Sequence, residues 1–302
     1  MTKHAYLIIA HNNFENLKLL IKLLDSPKND IFIHFDKKAK KNDFREYENI
    51  CIYSKIYCYS ELKVYWGDIS QIYVELFLLE KATKNIEKYL YYHLLSGSDL
   101  PIKSNEYIYE FFNKNQGKEF INFTERKVNL KTLERVNKYH FLVKKIASTK
   151  GCVKNIYKIF DKILLKMQSL LRIDRNKKSS ITMQKGANWF SITDDLANYI
   201  LQKKEWIIKC FKYTLCGDEF FLQTIVENSN FKNNLYKKSY SDDYNDCMRE
   251  IDWKRGGPYT YKIEDFDFLV SSNKLWARKF IYEEDKNIIL KIYNFIKEKN
   301  GE

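Results

Sequence analysis

The sequence predicts an α/β protein: a single domain over residues 1–302, built on a mostly parallel sheet with helices on both faces. Three observations predict it. Over the first 125 residues, short apolar runs alternate with longer stretches whose apolar residues repeat at helical spacing, the rhythm of βαβ units. A chain of 302 residues that is 45% hydrophobic supplies a large core. No internal repeat and no long linker interrupts it.

The elements follow in order. AYLIIAH (5–11) is a buried strand, NFENLKLLIKLLD (13–25) a helix, and DIFIHFD (30–36) a strand ending in Asp36. YCYSELKVYW (57–66) reads as extended. Residues 68–84 form a helix with Asp68 as its start signal, and 89–99 a strand closed by the SGSD turn. A helix over 104–115 is capped by Ser104, and EFINF (119–123) returns to the sheet. Residues 126–180 are basic and helical, an insertion whose Ile156, Ile159, Phe160, Ile163, Leu164 and Leu165 form an apolar stripe. Such a stripe packs on its own domain in most helices, and the sharper reading is contact with anionic lipid. TMQKGANWFSIT (182–193) reads as a strand broken by a glycine, followed by a helix from Asp194 to about Lys204. After LCGDEFFLQTIVENS (215–229) comes a tract rich in Asn and Ser, and a charged helix runs from Glu283.

The net charge of +13 suits anionic partners, whether nucleic acid, acidic lipid or phosphorylated small molecules; plain solubility is the bland alternative. Six cysteines, with no CxxC and no Cys/His set at zinc spacing, read as reduced thiols. The apolar run at the N-terminus is too short for a signal peptide or a membrane span. A cytoplasmic location is expected, with peripheral contact at the inner face of the membrane as its variant.

Motifs exclude several chemistries. There is no GxGxxG, GxxxxGK[ST], HExxH or GxSxG. Asp265-Phe266-Asp267 is a literal Asp-x-Asp, yet it lies near the C-terminus among aromatics and reads as surface charge, not a metal site. In LCGDEFFLQTIVENS, Asp218 and Glu219 precede a helical run. They either cap that helix or include a catalytic base. The adjacent Arg278 and Lys279 of LWARKF suit a diphosphate, Arg as a two-pronged donor and Lys as a compact charge. Ligands in parallel sheets sit at the carboxyl ends of strands, where His11, Asp36 and the SGSD turn lie.

AYLIIAH, FIHFDKK, VYWGDIS, HLLSGSDLPIKS, KGANWF, the DE of LCGDEFFLQTIVENS and LWARKF occur in this order. Together they resemble the core-2/I-branching β-1,6-N-acetylglucosaminyltransferases and the related peptide O-xylosyltransferases, over residues 5 to about 280. The resemblance implies a GT-A-like, Rossmann-type fold and an inverting, metal-independent transfer of GlcNAc or xylose from a UDP-sugar. No cofactor beyond that donor is implied, and the acceptor is a glycan, a lipid-linked sugar or a peptide. It implies Glu219 as the base, with Asp218 left as the cap, and Arg278 and Lys279 on the diphosphate. Ala10, His11 and Asp36 would line the uridine pocket, with Tyr65 and Trp66 beside it and Asn188 and Trp189 near the donor sugar. The xylosyltransferase-like motif carries an acid where this chain has Asn188. Asp99 reads as a turn residue and His34 as a satisfied histidine; Trp66 and Trp189 are either pocket walls or core.

Two other classes compete. A nucleic-acid-binding protein without catalysis would use the +13 charge and the 16% aromatic content, but no RRM, KH or zinc motif is present and the basic residues are dispersed. A glycoside hydrolase would need a second carboxylate facing Glu219, and none is identifiable from sequence.

Overall fold

The computed structural model describes residues 2–39, 44–177, 179–241 and 243–301. Its strands are β1 (Lys3–Ala10), β2 (Asn29–Phe35), β3 (Lys55–Tyr59), β4 (Tyr89–Ser96), β5 (Asp99–Pro101), β6 (Phe120–Ile121), β7 (Phe190–Thr193), β8 (Arg249–Ile251) and β9 (Trp276–Arg278). Its α-helices are α1 (Phe14–Leu24), α2 (Arg45–Glu48), α3 (Ser70–Thr83), α4 (Asn105–Lys114), α5 (Leu130–Asn137), α6 (Val143–Ser148), α7 (Gly151–Leu170), α8 (Asp194–Gln202), α9 (Lys204–Phe211), α10 (Phe221–Glu227), α11 (Phe266–Ser271) and α12 (Lys286–Lys299).

The main sheet has the order β3-β2-β1-β4-β7-β6. Strands β3, β2, β1 and β4 are parallel, and β7 runs antiparallel to both β4 and β6. Every residue of β2 is buried, as befits a parallel strand covered on both faces. Alternation along β1 and β2 divides the core. Leu7 and Phe32 pack with Ile72, Leu76 and Leu79 of α3. Tyr6, Ile8, Ile31 and Ile33 pack on the other face with Leu17 and Leu20 of α1 and Ile292 of α12. A second sheet, β5-β9-β8, is joined to the first by the buried Arg249. Its guanidinium donates to the carbonyls of Leu94 and Phe190 and stacks on Trp276. The expected α/β class with a mostly parallel sheet is therefore present.

Three predicted strands are shorter than their hydrophobic runs, each because a side chain or another loop takes over the backbone. The run 57–66 leaves the sheet after Tyr59: the amide of Leu62 donates to His34 Nε2, and that of Val64 to Asp36 Oδ1. In 119–123 only Phe120 and Ile121 are ladder residues, since Glu119 bonds the backbone of Asn234 and Tyr236. In 182–193 the strand begins at Phe190, because Gly186 lies against the chain at Asn122. Helix starts follow the expected signals more closely. Ser104 accepts from the Tyr107 amide and Asp68 from the Ser70 amide, while the last helix, expected from Glu283, starts at Lys286 under an Asp285 cap. The helix expected from Asp194 to about Lys204 is α8, which ends at Gln202, and a second helix, α9, follows it from Lys204.

The basic segment departs from its majority expectation. Of α7 only Gln168 is fully buried, tied to the backbone of Tyr139, while Ile156, Ile159, Phe160 and Ile163 are half exposed or more. Most of the stripe does not pack on its own domain; its Leu164 and Leu165 do, half-buried. The face that does so carries Tyr157, Asp161, Leu164, Leu165 and Gln168.

Candidate active site

The carboxyl ends of β1 and β2 are neighbours in register, Ala10 opposite Phe35. This brings Ala10, His11 and Asp36 together. The Asp36 amide donates to the Ala10 carbonyl at 2.7 Å. Its buried carboxylate accepts from the amides of Lys38 and Val64 and pairs with the Lys38 ammonium at 3.2 Å. That ammonium also lies 4.2 Å from the centre of the Tyr65 ring. Ala10, His11, Asp36 and Tyr65 thus form one corner, with the Asp36 carboxylate as its anchor. Trp66, next to it, is 76% exposed, so it is not a core residue.

The loop after Tyr65 reaches the acidic stretch directly: the Gly67 carbonyl accepts from the Cys216 amide at 2.8 Å. Cys216 stands in the left-handed region (φ 49°), which turns the chain sharply into a 3-10 turn, Gly217–Glu219. The two acids then part. Asp218 is buried and accepts from the Gln71 side chain at 2.8 Å. It makes no side-chain cap at this turn or at α10, which corrects its expected capping role. Burial first, then the neighbouring Glu219, pushes Asp218 up to about 7. Glu219 is 34% exposed in its side chain, and its Oε2 lies 3.0 Å from Arg135 and 3.6 Å from Lys185. Oε1 carries no hydrogen bond among the described residues. Glu219 is held by two side-chain cations and a tight turn, not by the start of a long helix.

Arg278 and Lys279 end β9. The Arg278 guanidinium lies 4.3 Å from the Trp189 ring and its Nε 3.6 Å from Asp99 Oδ1. It makes no hydrogen bond among the described residues, so its donors are unspent. Asp99 is no mere turn residue. It is buried, fixed by the Ser96 amide at 2.7 Å, and faces Arg278 from the paired strand β5. Its burial pushes its carboxyl above the ordinary value, while Arg278 opposes that. Lys279 forms no ion pair among the described residues. Next to it, Asn13 donates to the Phe280 carbonyl at 2.7 Å and accepts from the Tyr282 amide, which draws the cations toward the end of β1. His11 registers them. Its imidazole is pushed below its ordinary value, first by loss of surrounding water; Asp36 opposes this, and Lys38, Lys279 and Arg278 add to it.

Residues 185–189 link the two halves. Lys185 pairs with Glu219, the Gly186 amide donates to the Glu219 carbonyl at 2.9 Å, and Trp189 lies against Arg278. Four residue steps span at most about 14 Å. Lys185, which touches Glu219, and Trp189, which touches Arg278, are therefore no farther apart than that, with the half-buried Asn188 between them. A Cβ at Gly186 would stand 1.7 Å from the Asn122 carbonyl oxygen, so only glycine permits this close path. Among the expected site residues, Asp36 meets Ala10 directly and Tyr65 through Lys38, Glu219 meets Lys185, and Trp189 meets Arg278; Trp66, Asn188 and Lys279 are next to these in sequence.

A sequence profile of the Core-2/I-Branching enzymes matches residues 4–269. The chain belongs to the Core-2/I-Branching enzyme family. It is 22% identical to human "Beta-1,3-galactosyl-O-glycosyl-glycoprotein beta-1,6-N-acetylglucosaminyltransferase 3", covering 98% of this chain and 68% of that protein. It is 24% identical to dog "Xylosyltransferase 2" over 91% of this chain but 31% of that protein, so it spans about a third of the xylosyltransferase's length. The crystal structure of mouse xyloside xylosyltransferase 1 covers 92% of this chain and is itself covered to 97%, at 10% identity and a TM-score of 0.39. This member of the family is a glycosyltransferase.

Several residues that build the family member's site were not visible as such in its sequence. Arg135 and Lys185 hold Glu219 from 84 and 34 positions away, differences read from the numbering. Gln71 links the Gly67 amide to Asp218, and the fully buried Glu75 lies close enough for Asp218 to help raise its carboxyl well above the ordinary value, after burial itself. Only KGANWF carried a signal, and Lys185 is its first residue. Asp265 is occupied by Arg255 at 2.7 Å and by the Lys262 amide, while Asp267 is exposed. The two do not converge. Among the described residues no group of three or more His, Cys, Asp and Glu is placed to hold a metal ion.

Proposed function

We propose that this glycosyltransferase is inverting and metal-independent, moving GlcNAc or xylose from a UDP-sugar to an acceptor hydroxyl in surface glycan or polysaccharide synthesis. The observation that carries the reading is the one-sided hold on Glu219. Arg135 and Lys185 engage Oε2, which leaves Oε1 for a proton, and Arg278 rests on Trp189, four residues along the chain from Lys185.

In this reading uridine occupies the corner of Ala10, His11, Asp36 and Tyr65, with Trp66 at its rim. The diphosphate meets Arg278 and Lys279. The acceptor, a glycan, lipid-linked sugar or peptide, presents its hydroxyl to Glu219. As that oxygen bonds to the anomeric carbon, its proton passes to Glu219 Oε1, and the bond to UDP breaks on the opposite face. The charge that gathers on the leaving diphosphate is stabilised by the two cations, a contribution of about 3 kcal/mol per well-aimed donor. Asp99 and Trp189 keep Arg278 aimed, one by charge and one by stacking.

A donor screen with UDP-GlcNAc, UDP-Xyl, UDP-Glc and UDP-Gal, read as UDP release, tests the donor class. Glu219→Gln is expected to lose transfer by at least a thousandfold while UDP affinity changes less than threefold. Retained turnover would overturn the base assignment, and arrest by EDTA would overturn the metal-free reading.

A further inference from the structure

The exposed face of α7 has a chemistry of its own. At about 100° per residue, Ile156, Ile159, Phe160, Ile163, Met167 and Leu170 fall within an arc of about 100°. Each is half exposed or more. Lys158, Lys162 and Lys166, all exposed, form a strip along one edge of this arc at four-residue spacing, and the docked face carrying Leu164 and Gln168 adjoins its other edge. An exposed apolar arc with a row of cations along one edge is the pattern of a helix that lies in a lipid headgroup layer. No helix among the described residues is long and apolar enough to cross a membrane, so the helix lies on the surface and does not span it.

We propose that α7 docks the protein onto an anionic lipid surface, its apolar arc entering the headgroup region while Lys158, Lys162 and Lys166 meet lipid phosphates. Charge selects this occupant over a second copy of the chain. Two copies joined through this face would bring their lysine rows together on molecules that each carry +13, whereas an acidic leaflet supplies the missing counter-charge.

The test is co-sedimentation of the full chain with phosphatidylglycerol/phosphatidylcholine vesicles, beside phosphatidylcholine alone, with no sugar donor present. Binding to the anionic vesicles is expected to exceed binding to the neutral ones at least tenfold. Replacing Lys158, Lys162 and Lys166 together by Gln is expected to weaken it about a hundredfold, at about fivefold per charge. The triple variant Ile156→Gln, Phe160→Gln and Ile163→Gln is expected to lose it by at least tenfold. Both variants keep the wild-type Tm, since the replaced side chains are exposed. Equal binding to neutral and anionic vesicles would overturn the proposal. So would a concentration-dependent dimer, seen by light scattering and abolished by the apolar triple variant, in a protein that ignores vesicles.

Discussion

Asp218→Asn separates the buried acid from the exposed one beside it. Asp218 has an ordinary value of 3.8 and is pushed up to about 7, by burial first and Glu219 second. Below 3.8 the folded and unfolded chains both hold the proton and the carboxyl costs nothing. As pH rises through the window to about 7, the unfolded chain ionises freely and the folded one does not, so stability falls. The slope is about 1.4 kcal/mol per pH unit, which gives a penalty of about 1.6 kcal/mol at pH 5 and about 4 kcal/mol at pH 8. Asn keeps an oxygen for the Gln71 donor and removes the titration. At about 2 °C per kcal/mol for a chain of this length, the variant is expected to melt about 3 °C above wild type at pH 5 and about 8 °C above it at pH 8. Intrinsic tryptophan fluorescence during a thermal ramp measures both. A gain that is the same at the two pH values, or a loss at pH 8, would refute the reasoning.

Arg278→Ala combined with Lys279→Ala is expected to weaken UDP binding about a hundredfold by calorimetry, two charged contacts at about 1.5 kcal/mol each, with EDTA leaving the wild-type affinity unchanged. Arg135→Ala removes the 3.0 Å contact to Glu219 and two bonds to the carbonyls of Leu215 and Cys216. It is expected to lower kcat by tenfold or more with KM for the donor nearly constant, and Arg135→Lys is expected to restore part of it. A change confined to KM would remove Arg135 from the positioning role. Gly186→Ala forces a methyl against the Asn122 backbone and is expected to cost about 3 kcal/mol or more, a Tm loss of at least 5 °C that shows in a melting curve.

The parts of this protein that could be read from its sequence are those with local causes. Strand β2 is a run of buried apolar residues, Ser104 announces its helix through its own hydroxyl, and the carboxyl-end rule placed His11 and Asp36 at one corner. What escaped was set by partners far along the chain. The run ending at Trp66 has the apolar alternation of a strand, yet His34 and Asp36 claim its amides with side chains, a competition that no window of ten residues contains. Asp218 and Glu219 look interchangeable in sequence, and only the distant Gln71, Arg135 and Lys185 give one a buried role and the other an exposed one. The stripe on α7 failed for the opposite reason. Its periodicity was legible, but periodicity reports that a helix has an apolar face and is silent on whether the same chain covers it.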